Sequence, residues 1–167
     1  HAGVSFDEVR PPGIEETMRI FMELMNWDGG AWRNQLLYPD GGPPSAQNSQ
    51  ETEKNISARS VTRMIQRWDR YRSRMLAFFA PYDLLICATN ALPAMPHGSS
   101  QDNLDAFSYT IAYSLTDWPA AVVRATTSSG GLPIGVQVVA HPWREGVALA
   151  AAKLVETELG GWRPPAI

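Results

Sequence analysis

The sequence predicts an α/β fold in which a few strands of a mixed central sheet are flanked by helices. Three observations lead there. Residues 57–79 carry apolar side chains at helical spacing, residues 82–89 and 133–141 are short apolar runs of strand length, and residues 145–159 return to a helical, Ala-rich pattern. Strands and helices therefore alternate through the second half of the chain, the pattern of a layered α/β architecture. Three or four strands amount to part of a sheet rather than a complete doubly wound one.

The elements follow in order. "HAGVSFDEV" reads as the end of a helix, a glycine stop and a strand-like segment. A cap with no helix before it predicts that the chain is the later portion of a longer polypeptide. Pro11 and Pro12 then introduce a helical pattern from Gly13 to Leu37, with Ile14, Met18, Phe21, Met22 and Met25 on one stripe. Glu15 and Glu16 fall in its first turn, where acids suit the helix dipole, and Gly29-Gly30 divides it into two pieces. Residues 38–55, "YPDGGPPSAQNSQETEKN", form a polar, Pro- and Gly-rich stretch expected to be a mobile loop.

The next helix, Ser57 to Phe79, is the clearest element. Val61, Met64, Ile65, Trp68, Tyr71, Met75, Leu76 and Phe79 make an apolar stripe, while Arg59, Arg63, Arg67, Arg70 and Arg74 make a basic one. Pro81 stops it. "YDLLICAT" is a buried strand, "NALPAMPHGSSQDN" a proline-broken loop, and "FSYTIAYSLTDWP" fits helix or extended chain equally. "AAVVRATTSS" and "PIGVQVVAH" read as two strands joined at Ser129-Gly130-Gly131. The last helix, Glu145 to Leu159, ends at Gly160-Gly161.

Composition narrows the function. The 167 residues suffice for one core, and 44% apolar with 19% charged residues is ordinary for a globular chain. A net charge of −3 gives no global attraction for nucleic acid or an anionic membrane. The lone Cys87 rules out an internal disulfide and suits a reducing, cytoplasmic setting. The apolar runs are far shorter than the roughly 20 residues of a membrane span. His1, His97 and His141 are scattered, so no metal or cofactor is expected.

Two clusters invite chemistry. "SSGG" at Ser128–Gly131 has the composition of a nucleophile loop, and His141 lies downstream. Yet a nucleophile elbow follows a strand and opens a helix, whereas this run precedes a strand, so it reads as a turn. The Arg59–Arg74 face, with six of the chain's 14 basic residues, reads as a solvated helix surface. The alternatives are a partner- or polyanion-binding module, or a set of arginines pairing with acids on a missing part.

"GLPIGVQVVAHPWREGVALAAAKLVE" resembles the C-terminal end of the amidase signature hydrolases, whose Gly-Leu-Pro-x-Gly-x-Gln strand, Pro-aromatic-x-Glu step and closing helix fall on Gly131, Leu132, Pro133, Gly135, Gln137, Pro142, Trp143, Glu145 and Glu156. "PYDLLICATNALPAMPHG", "YSLTDWPAAVV" and "HAGVSFDEVRPP" are similar to upstream blocks of that family. The "PW" step and "GGWRPP" tail lean toward the fatty-acid-amide-hydrolase-like and bacterial amidase branch. Where the family usually has Asn and Gly, this chain has Ser114 and Asp117.

The resemblance implies hydrolysis of a carboxamide to an acid and ammonia or amine, through a serine acyl-enzyme, without metal or cofactor. It implies a Ser–cis-Ser–Lys triad lying N-terminal to these residues, so the chain itself contributes no catalytic residue and is expected to be inactive alone. Thr126, Thr127 and Trp143 become substrate-channel candidates. The expected partners are a small amide and the missing N-terminal part of the domain, with self-association through an unpaired strand edge as a further expectation.

Overall fold

A computed structural model describes residues 3–28, 31, 35, 36, 39 and 57–164. The loop expected over 38–55 lies outside the described residues except for Pro39. Three strands form the sheet: β1 (Leu84–Ala88), β2 (Ala120–Thr127) and β3 (Pro133–Ala140), in the order β1-β3-β2. Both pairings are antiparallel. Four helices accompany them among the described residues: α1 (Thr17–Met25), α2 (Ala58–Phe79), α3 (Ser108–Ser114) and α4 (Glu145–Leu159).

β3 is the central strand, and its apolar run is explained by burial on both faces. Val138, Val139 and Ala140 are fully buried. Side chains alternate across a strand, so Val139 joins Leu85 on the face that meets α2 and α3, while Val138 and Ala140 lie on the face covered by α4. Ala148 and Ala152 turn toward the sheet from α4, and their small side chains let the helix approach closely.

The principal core lies between α1, α2, α3 and the sheet. It contains Ile20, Tyr71, Met75, Phe79, Ala112, Tyr113, Trp118 and Val139. Ile65 and Leu76, expected on the α2 stripe, remain 44% and 49% exposed. They sit roughly 80° round the helix from the stripe's centre at 100° per residue, so they flank the buried face instead of joining it. Two polar tips on α2 reach α3 and its exit. The Tyr71 hydroxyl donates to the Ala112 carbonyl at 3.1 Å and Trp68 Nε1 to the Leu115 carbonyl at 2.6 Å. The first satisfies one of the carbonyls that a helix end leaves open.

These contacts decide the segment whose sequence fits two conformations: 108–114 is helix. It leaves through Asp117, at φ +57. A left-handed backbone is costly for most residues and free for glycine, which agrees with the family's usual Gly at this position. Inside the stretch expected to be a proline-broken loop, a 3-10 segment begins at Ser99 and runs to Phe107. Of the second piece of the first helical pattern, only Ala31, Gln35 and Leu36 are described, all helical.

Two of the five arginines of the α2 stripe, and Arg72 beside it, pair with acids of the same chain. Arg67 pairs with Glu23 and Arg74 with Glu16, both acids from the N-terminal helical region, while Arg72 reaches Asp117 at 3.7 Å and lies over the Trp68 ring. Gly13 makes room for this: at φ +76, a Cβ there would come within 2.8 Å of the Arg74 guanidinium.

The hydrogen bond from Arg74 holds the Glu16 carboxyl below the ordinary value of 4.5 against the opposing effect of burial. A depressed folded-state pKa stabilises the fold above the unfolded value and loses that stabilisation as pH falls through the folded one. Glu16→Gln is therefore expected to lower the unfolding free energy by about 0.5–1 kcal/mol at neutral pH. The gap between variant and parent should close as pH falls below 4.5 in urea titrations. A gap that stays constant with pH would remove the ion pair as its cause.

Candidate functional site

A cavity of about 660 Å³ lies at the carboxyl end of β1, between the 89–98 loop and the first residues of β3. The antiparallel register builds it: Ala88 at the end of β1 stands opposite Val136 near the start of β3, bringing Pro133–Gly135 beside the loop. Thr89 Oγ1 donates to the Gly135 carbonyl at 3.3 Å, and Asn90 Oδ1 accepts from the Leu92 amide at 3.0 Å. The Ala91 amide is held by the Ala106 carbonyl at 3.1 Å.

The walls are apolar at Leu92, Met95, Phe107 and Ile134, with Asn90 and His97 among the polar groups. None of the described residues lining the cavity is Asp, Glu, Lys or Arg. Such a site suits an uncharged, partly apolar group and provides no charged acid or base.

Next to the end of β1 lies a buried polar cluster, three of whose members, Cys87, Tyr109 and Tyr113, line a second cavity of about 610 Å³. Gln137, 2% exposed, donates through Nε2 to the Ala88 and Tyr109 carbonyls at 3.0 and 2.9 Å, and lies 3.3 Å from Cys87 Sγ. The Cys87 thiol in turn approaches the Tyr113 hydroxyl at 3.7 Å. Burial raises the pKa of the Cys87 thiol and of the Tyr113 phenol, outweighing the hydrogen bonds that would lower the thiol's. Both stay neutral, so Cys87 is not activated as a thiolate nucleophile. Sequence reasoning gives Gln137 a place in a motif but no role. The available signal is a lone amide within "GVQVVA", a polar group that must find partners if its strand is buried on both faces.

The sequence-derived candidates fall in two places. Thr126 and Thr127 are exposed at the end of β2, opposite Ile134 and Pro133, which line the cavity. Thr127 Oγ1 accepts from Arg124 at 2.8 Å. Trp143 lies past the other end of β3, roughly 25 Å away along an eight-residue strand. Its indole is 90% exposed and its backbone is left-handed at φ +65. The fold brings the threonines together but separates them from Trp143.

The serine-rich run is a turn. Ser128 Oγ accepts the Leu132 amide at 3.1 Å, the Ser128 carbonyl accepts the Gly131 amide at 3.0 Å, and Gly131 takes φ +83. His141 stands at the far end of β3, where its Nε2–H donates to the Tyr82 carbonyl at 2.8 Å and its ring stacks on Phe79. Ser129 and His141 thus form no catalytic pair. Among the described residues no cluster of His, Cys, Asp or Glu could hold a metal ion, and no helix is long and apolar enough to cross a membrane.

The amidase family model matches residues 1–149. The chain belongs to the amidase family. Among its amidase relatives, fatty-acid amide hydrolase 2-A of Danio rerio is 39% identical over 59 residues, 35% of this chain and 11% of that protein. Fatty acid amide hydrolase 1 of Caenorhabditis elegans is 28% identical over 107 residues, 47% of this chain and 19% of that protein. The fold matches 6-aminohexanoate cyclic dimer hydrolase with a TM-score of 0.78 at 20% identity, covering 98% of this chain and 40% of that one. A solved fatty acid amide hydrolase matches with a TM-score of 0.75 at 18% identity, covering 95% and 34%. The chain thus spans less than half the length of these relatives, and its architecture is that of the amidase-signature fold.

Proposed function

We propose that this chain is the C-terminal portion of one amidase catalytic domain, which hydrolyses a carboxamide to an acid and ammonia or amine through a serine acyl-enzyme. It supplies strands, outer helices and one wall of the substrate cleft. The observation that carries this reading is the amidase match over residues 1–149 together with an uncharged cavity at the carboxyl end of β1. The cavity would receive the uncharged flank of an amide, with Thr126 and Thr127 beside its rim.

The nucleophile and its base would come from outside these residues. A lysine acting as base must be neutral and desolvated. The sequence has two lysines, Lys54 and Lys153. Lys153 is solvent-exposed on α4 and paired with Glu156 at 3.0 Å. Lys54 lies outside the described residues, in the polar stretch. The serine turn has no histidine beside it to act as base, since His141 is held at the far end of β3 by the Tyr82 carbonyl and the Phe79 ring.

The test is intact mass after treatment with a fluorophosphonate serine probe, on this chain and on the longest product of its gene. Labelling of the longer product alone is expected, with no adduct on this chain even at high probe concentration. An adduct on this chain, lost in Ser129→Ala, would place the nucleophile here and end the proposal.

A further inference from the structure

We infer that an exposed flank of α2 is a two-fold interface, on which a second copy of this chain docks with its own α2 antiparallel. Along this flank Thr62, Ile65, Asp69, Arg72, Leu76 and Ala80 recur at steps of three, four, three, four and four. All are exposed except the half-buried Arg72. At 100° per residue the four central side chains fall within about 60° of arc. They lie to one side of the face that Tyr71, Met75 and Phe79 bury in the core. Steps of three and four are the spacing at which two helices interlock side by side. The inference goes beyond the hydrolytic reading and does not depend on it.

The order of these side chains makes the stripe complementary to itself. Reversed about its midpoint, between Arg70 and Tyr71, it sets Ile65 against Leu76, Asp69 against Arg72 and Thr62 near Ala80. A two-fold axis makes each of these contacts twice. Parallel docking would set Asp69 on Asp69 and Arg72 on Arg72, like charges that repel. Ile65 and Leu76 are 44% and 49% exposed and stand roughly 16 Å apart along the helix. Single exposed aliphatic residues are ordinary, but in the antiparallel pair each of these two covers the other. Asp69 makes no ion pair among the described residues. Arg72 lies over the Trp68 ring and reaches Asp117 at 3.7 Å, yet keeps 42% of its side chain exposed. The ring holds the guanidinium in place before docking, which lowers the cost of ordering it. The opposite flank, with Arg59, Arg63 and Arg70, carries one sign of charge and would repel its own copy. A contact of about three helical turns is small, so a weak dimer is expected.

Sedimentation velocity over a wide concentration series tests this on the longest product of the gene and on this chain. A monomer–dimer equilibrium is expected in both. Asp69→Arg and Arg72→Asp, each alone, are expected to weaken the dimer by about 10-fold or more, because every paired charge then meets its like. Mixed in equal amounts, the two variants should regain a dimer comparable to the parent's, since each supplies the charge that the other lacks. Leu76→Ser tests the apolar half and is also expected to weaken the dimer by about 10-fold; it decides the matter if a charge variant loses its helical circular dichroism. A longer product that stays monomeric throughout the series overturns the inference, even where this chain alone dimerises. So does a dimer that all three single variants leave intact, or a mixture of folded charge variants that fails to restore it.

Discussion

Phe79→Ala is expected to lower the unfolding free energy of this chain by about 3–5 kcal/mol, the usual range for deleting a buried aromatic ring. Phe79 is the last residue of α2 and is fully buried. Its ring lies 4.8 Å from the Trp118 ring and 4.1 Å from the His141 ring, the latter stacked at 11°. Three segments distant in sequence thus converge on one side chain: the end of α2, the turn before β2 and the exit from β3. Removing the ring takes apolar surface out of contact and leaves a void that flat neighbours fill poorly. It also unseats His141, whose Nε2–H is held by the Tyr82 carbonyl three residues past Phe79. Urea unfolding followed by tryptophan fluorescence measures the loss. Phe79→Leu keeps most of the volume and is expected to cost distinctly less. If both variants lost under about 1 kcal/mol, the convergence would not be a stability centre.

The same residue shows what the sequence can reveal. The position of Phe79 on an apolar stripe follows from spacing, and so do the boundaries of α2 and α4, because each carries one period and stops beside a Pro or Gly, while β1 is legible as a short apolar run. The segment 108–114 is not legible for an opposite reason. Tyr109, Thr110, Ile111 and Tyr113 favour strand by local preference. Helix prevails because Tyr71 bonds the Ala112 carbonyl while Ala112 and Tyr113 are buried in the core. Those are tertiary facts, absent from any local window.

The cavity is hidden in the sequence for a related reason. Most of its walls come from residues 88–98 and 133–135, which the antiparallel register of β1 with β3 sets side by side, with Ser100 and Phe107 completing them. Thr126 and Thr127 lie beside it because they share a strand end with the turn at Gly131. Trp143, close in sequence to the same motif, is carried away by the length of β3. Motif proximity is not spatial proximity when a strand lies between.

Gln137→Leu is expected to cost about 2–3 kcal/mol, although the replacement is similar in size and more apolar. Deleting a buried donor leaves its acceptors facing a surface that cannot bond them, which costs more than an average hydrogen bond contributes. Here Nε2 serves the Ala88 and Tyr109 carbonyls, linking β3 to the end of β1 and to α3. The loss should therefore loosen the carboxyl end of β1, where the cavity opens, more than it loosens α2. Hydrogen exchange would show this as faster amides at 87–92 and unchanged ones at 71–79. Gln137→Glu provides the sharper contrast. At neutral pH its carboxylate would face two carbonyl oxygens in a buried site, so its pKa must rise and the variant should be less stable than Gln137→Leu. Protonation restores one donor, so its stability relative to Gln137→Leu should recover as pH falls through that raised value. A difference between the two variants that does not change with pH would mean that water reaches residue 137, and the amide would then not be the bond that ties β3 to the end of β1 and to α3.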